Sequence, residues 1–114
     1  EEIVGQFYQD HPQGWLRVAH VQEGMPDMMM HTNQPSYKWV GRAEPSLNKL
    51  YIFPKPLKDW CIKEGHHYAS IRQLILDRMR GKTYKMRAGR GTQYDVGSPH
   101  VIECAWNYDA DKAD

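Results

Sequence analysis

Polar and apolar residues change their rhythm twice along this chain, and the changes divide it into three stretches. In the first half the apolar positions come in short blocks separated by Gly, Pro and Asn. Residues 4–8, with Val4, Phe7 and Tyr8, read as a short extended piece that ends at the turn-forming cluster Asp10-His11-Pro12-Gln13-Gly14. Residues 15–21 mix apolar and polar positions as a partly covered strand does. Two further strands are expected over residues 37–41 and 49–53, joined by the polar turn Glu44-Pro45-Ser46-Leu47-Asn48. Together these pieces predict a small antiparallel sheet. The stretch Gly24-Met25-Pro26-Asp27-Met28-Met29-Met30-His31, broken by proline, reads as a loop.

The middle switches to helical spacing. Pro54 and Pro56 suit a first helical turn, and Leu57, Trp60 and Cys61 then fall at i, i+3 and i+4 before Gly65 stops the run. A second helix carries Tyr68, Ile71, Leu74, Ile75 and Met79 at spacings of three and four, with Gly81 as its expected stop. Only Gly65, His66 and His67 separate the two helices. So short a connection forces them to cross steeply, which is the helix-turn-helix arrangement.

A strand-like basic segment over residues 82–87 follows, then the glycine-spaced tip Ala88-Gly89-Arg90-Gly91-Thr92 and a last strand over residues 100–106 after the turn Gly97-Ser98-Pro99. Strand, helix, sharp turn, helix, strand, basic loop, strand is the order of a winged helix. The expected fold class is therefore α+β: a winged helix, meaning a helix-turn-helix plus a basic β-hairpin, extended by N-terminal antiparallel strands. Residues 1–108 are expected to form one domain, and 109–114, which lack bulky apolar side chains, a disordered acidic tail.

Composition supports a packed core. The 114 residues are 40% hydrophobic and 11% aromatic, with four Trp and seven Tyr, and no apolar run reaches the length of a membrane span. No membrane association is expected. A start at Glu1 rather than Met suggests a piece of a longer protein. Cys61 and Cys104 sit among apolar neighbours and read as reduced core thiols, which suits a cytoplasmic or nucleoid setting.

The net charge of +1 conceals a strong asymmetry. Residues 55–90 hold ten of the fifteen basic residues against three acidic ones, whereas the segments on either side are both net acidic. Clustered Lys and Arg bind phosphate backbones with release of counterions, and a helix-turn-helix presents its second helix to the major groove. On that reading His67, Ser70, Arg72, Gln73 and Asp77 face the bases; Arg and Gln pair with guanine and adenine edges. Lys82, Lys85, Arg87 and Arg90 would contact phosphates, and Lys55 and Lys58 are further nucleic-acid-binding candidates. Thr92 and the glycines around Arg90 add backbone amides of the kind that cradle an anion, although the spacing is not that of a P-loop and nucleotide hydrolysis is not expected. A solvated face that balances the acidic ends would have the same composition.

The chain holds three other constellations. Cys61, His66, His67 and Cys104 offer four zinc-type ligands, but at spacings that match no paired zinc motif; the bland alternative makes the histidines turn and cap residues. His11, Asp27 and Glu44 would serve a metal-dependent nuclease only if the fold gathered them. Met28, Met29 and Met30 supply flexible thioethers suited to docking on a partner protein or to plugging the core. Neither a catalytic residue nor a cofactor or metal is therefore expected of this chain.

Residues 50–102 resemble the small C-terminal accessory module that follows the motor in some phage- and mobile-element-type primase-helicases. The resemblance lies in Leu50-Tyr51-Ile52-Phe53, in Leu57-Lys58-Asp59-Trp60-Cys61, in residues 68–76, and in Arg87-Ala88-Gly89-Arg90-Gly91-Thr92 before Val101-Ile102. It implies a DNA-engaging domain of a replication protein with no active site of its own, and it implies Lys58, Arg72 and Arg90 as DNA contacts. The expected function is binding of duplex or forked DNA. The rivals are a protein-interaction module using the basic face and the methionine loop, and a metal nuclease.

Overall fold

Burial on both sides of two central strands organises the molecule. The structure, a computed structural model, describes residues 2–19, 28, 29, 39–88 and 97–108. Helix α1 (Glu2–Asp10) leads into β1 (Trp15–Ala19); then follow β2 (Met28–Met29), β3 (Gly41–Glu44), a 3-10 turn at Pro45–Leu47 and β4 (Lys49–Ile52). Helices α2 (Pro54–Glu64) and α3 (Tyr68–Arg78) come next, and β5 (Lys82–Lys85) and β6 (His100–Ala105) close the fold. The sheet order is β2-β1-β3-β4-β6-β5. The protein is α+β.

Leu50 and Ile52 of β4, with Ile102 and Cys104 of β6, face the layer of three helices. Leu57 and Trp60 of α2 and Ile71 and Ile75 of α3 meet them there, as the helical spacing predicts. The alternate residues, Tyr51 and Val101, face the other side, where Leu16, Phe53 and Ala88 join them in a second cluster. With both faces covered, β4 needs no apolar–polar alternation, and Leu50-Tyr51-Ile52-Phe53 is a continuous apolar run.

Several expectations are corrected. Residues 4–8 lie in helix α1 rather than in a strand. Val4 and Phe7 are fully buried on one side of it, and the Phe7 ring meets Trp15 at 5.7 Å and Trp60 at 5.5 Å between centroids. Those tertiary contacts outweigh the strand preference of Ile3 and Val4. The sheet is mixed, because β1 runs parallel to β3 in the register Trp15↔Gly41. Trp39 and Val40 precede β3 instead of forming it, while Tyr37 and Lys38 lie outside the described residues. Met28 and Met29 form a short strand against β1, not a loop; Met30 lies outside the described residues.

Gly41 is fixed by space. A Cβ there would lie 2.2 Å from the Tyr51 carbonyl oxygen and 2.4 Å from the Trp15 ring. At the end of α2, Gly65 takes φ +79° and its amide donates back to Ile62, which ends the helix as expected. The end of α3 differs from the expectation. Arg80, not Gly81, takes the left-handed conformation, at φ 54°. The tail 109–114 lies outside the described residues.

Candidate nucleic-acid interface

Helix α3 buries Ile71 and Ile75, so its opposite side exposes Ser70, Gln73 and Asp77. At 100° per residue Arg72 stands on the flank, and it is only half exposed. The five expected base-reading residues thus do not share one free face. Their polar groups are also partly engaged with one another. The Gln73 amide donates to Asp77 Oδ1 at 3.0 Å, and His67 Nδ1 lies 2.8 Å from Ser70 Oγ. His67 is the residue before α3, yet its side chain makes no capping bond to the backbone.

The basic groups are better placed. Every residue of β5 is exposed, and β5 is the outer strand of the sheet, so Lys82 and Lys85 project from an open edge with Arg87 just beyond. In the β5–β6 register Lys82 stands opposite Glu103, but that carboxylate accepts from the Tyr84 hydroxyl at 2.7 Å and lies 3.7 Å from Lys49 Nζ. Burial, followed by the Glu103 hydrogen bond and charge, holds the Tyr84 phenol well above its usual range. Among the described residues no carboxylate pairs with Lys82, Lys85 or Arg87. Arg90 and Thr92 lie outside the described residues.

Helix α2 shows Lys55, Lys58 and Lys63 to solvent. Lys55 Nζ pairs with Asp59 at 3.3 Å, an exposed i, i+4 contact of small energetic weight. The root of the basic segment is held from below the sheet. Arg42, 1% exposed, donates from Nε to Glu44 Oε1 at 2.6 Å and from Nη1 to the Ala88 carbonyl at 3.0 Å. A buried arginine in β3 therefore fixes the chain three residues past β5.

The other constellations come apart. Cys61 and Cys104 are free and buried, and burial pushes the Cys104 thiol up to about 12. His66 lies against Trp60 and His67 is engaged by Ser70. Among the described residues no group of three or more His, Cys, Asp or Glu is placed to hold a metal ion. His11 Nδ1 is 2.9 Å from the Phe7 carbonyl at the end of α1, Glu44 is buried with Arg42, and Asp27 lies outside the described residues. No helix among the described residues is long and apolar enough to cross a membrane.

Tyrosines and Trp106 are a further kind of residue on which exposed bases could stack. Tyr68 and Trp106 instead pack against the main core, and Tyr94 lies outside the described residues. An unforeseen aromatic surface lies at the end of the sheet. Trp39, Phe53, Pro54, Pro56, Pro99 and His100, with Lys55, line an open groove of about 520 Å³. Its one legible signal is the crowding of proline and aromatic residues at element ends, in Phe53-Pro54-Lys55-Pro56 and Ser98-Pro99-His100. No protein-family model, curated protein or solved structure matches this chain.

Proposed function

We propose that the chain is a nucleic-acid-binding module, a DNA-binding accessory domain, built as a winged helix extended by N-terminal strands. A winged helix sets one strand, then two helices, then a hairpin whose second strand lies between the first strand and the hairpin's other strand. The order β4, α2, α3, β5, β6 with sheet neighbours β4-β6-β5 supports that reading. Helix α3 and the basic β5–β6 hairpin are its DNA-facing elements, and the setting in a phage or mobile-element replication protein rests on the sequence resemblance alone.

The observation that carries the proposal is the open edge at β5, where Lys82, Lys85 and nearby Arg87 are exposed and no described carboxylate pairs with them. Lysines on an edge strand also discourage pairing with other sheets, so exposure alone does not define a phosphate site. Salt dependence separates the two roles. Binding of a labelled duplex is expected to weaken steeply between low and moderate salt and to be competed by mixed-sequence DNA. Retention of a protein partner in the presence of that competitor, with no duplex binding, would favour the protein-interaction reading. Incubation of plasmid with magnesium or manganese should leave it intact; cleavage by the purified protein would favour the nuclease.

A further inference from the structure

We propose that the groove at the end of the sheet holds the unpaired bases of a single nucleic-acid strand, an inference that rests on the nucleic-acid reading above and names the substrate feature recognised. The lining is apolar: the partly exposed Trp39, with Pro54, Pro56 and Pro99 and the largely buried Phe53 beneath them. Base stacking on such a lining tolerates any sequence, because every base has a π-face. The rim holds one lysine and one imidazole. Lys55 lines the groove from α2, and His100 lines it from β6. Lys85 stands directly opposite His100 in the β5–β6 register, on the edge strand assigned above to phosphate contact.

The groove does not stop at Lys55. Lys55 and Pro56 also line a second recess of about 380 Å³, together with His11, Val40, Asp59, Trp60 and Lys63. Lysines therefore flank apolar lining along the length of α2, from Lys55 to Lys63, an arrangement that suits an extended strand better than one small molecule. The only carboxylate in either described lining is Asp59, already paired with Lys55. A proline-rich peptide would fit the same lining, but Lys55 and Lys63, which belong to the segment that holds ten of the fifteen basic residues, complement a polyanion.

The test is fluorescence anisotropy with labelled oligothymidylate, a blunt duplex and a fork with one unpaired arm. Wild type is expected to bind the single strand and the fork. Trp39→Ala should weaken both about tenfold and leave the blunt duplex unchanged, with Trp39→Phe restoring binding. Trp39 packs partly on the second cluster, so His100→Glu at the exposed rim serves as a variant that does not touch the core. It should weaken the single strand and the fork as well. Wild-type single-strand affinity in both Trp39→Ala and His100→Glu would overturn the groove proposal, as would binding of the blunt duplex alone, which leaves the DNA-binding module standing. Absence of binding to all three probes would overturn both.

Discussion

Replacing Arg42 with Met leaves the Glu44 carboxylate buried without its guanidinium partner. The two side chains are 1% and 2% exposed and 2.6 Å apart, so water does not compensate the loss. Removing one member of so buried a pair costs about 3–5 kcal/mol, and the lost bond to the Ala88 carbonyl adds about 1 kcal/mol. A domain of ordinary stability, about 5–15 kcal/mol, would lose about a quarter of it or more. Replacing both residues with apolar side chains, Arg42→Met with Glu44→Leu, removes the buried charge together with its partner and is expected to return stability to within about 1 kcal/mol of wild type. Urea unfolding followed by tryptophan fluorescence reads both values, with an unchanged slope confirming that the denatured state is the same. The double variant still lacks the tether to Ala88, so it should stay folded yet bind DNA more weakly. A single variant within about 1 kcal/mol of wild type would refute the reasoning, because the pair would then be replaceable by water.

Other expectations follow from single sites. Gly41→Ala forces a Cβ against the Tyr51 carbonyl and the Trp15 ring, and should cost about 3 kcal/mol in urea unfolding. Asp77→Asn removes the negative charge from the exposed side of α3 and loosens its hold on Gln73; duplex affinity should rise about two- to fivefold in a direct titration. Burial raises Cys104 to about 12 from 9.0, and it raises Cys61, Tyr84 and Tyr108 as well. The native state therefore holds protons that the unfolded chain releases first. Stability from these groups is complete below about pH 9 and falls as the pH rises towards 12, which urea midpoints at about pH 8 and about pH 11 would register. Both thiols should also resist thiol reagents at about pH 8 until urea is added.

The helix pair was legible because its apolar spacing and its three-residue turn are local signals. Leu57, Trp60 and Cys61 and then Ile71 and Ile75 are buried as their positions require. Helix α1 was not legible. Ile3, Val4, Gly5 and Phe7 carry strand-like or helix-weakening preferences, and what makes the segment helical is Phe7 seated between Trp15 and Trp60, far away in sequence. The parallel pairing of β1 with β3 was hidden for the same reason. At the candidate interface, the concentration of charge was visible in the sequence and its exposure on β5 agrees. The engagement of Gln73 by Asp77 at i, i+4 is a local pattern that helix geometry makes readable. Of the groove, only the crowding of proline and aromatic residues at element ends was visible, because Trp39, Phe53 and Pro99 meet only after the sheet has formed.

The salt dependence of duplex binding, compared between wild type and Lys82→Ala/Lys85→Ala/Arg87→Ala, tests the DNA-binding account most directly. Loss of three phosphate contacts should flatten the plot of log affinity against log salt by about 2.7 and weaken binding at low salt to every sequence alike. An identical slope and affinity in a folded variant would contradict the account.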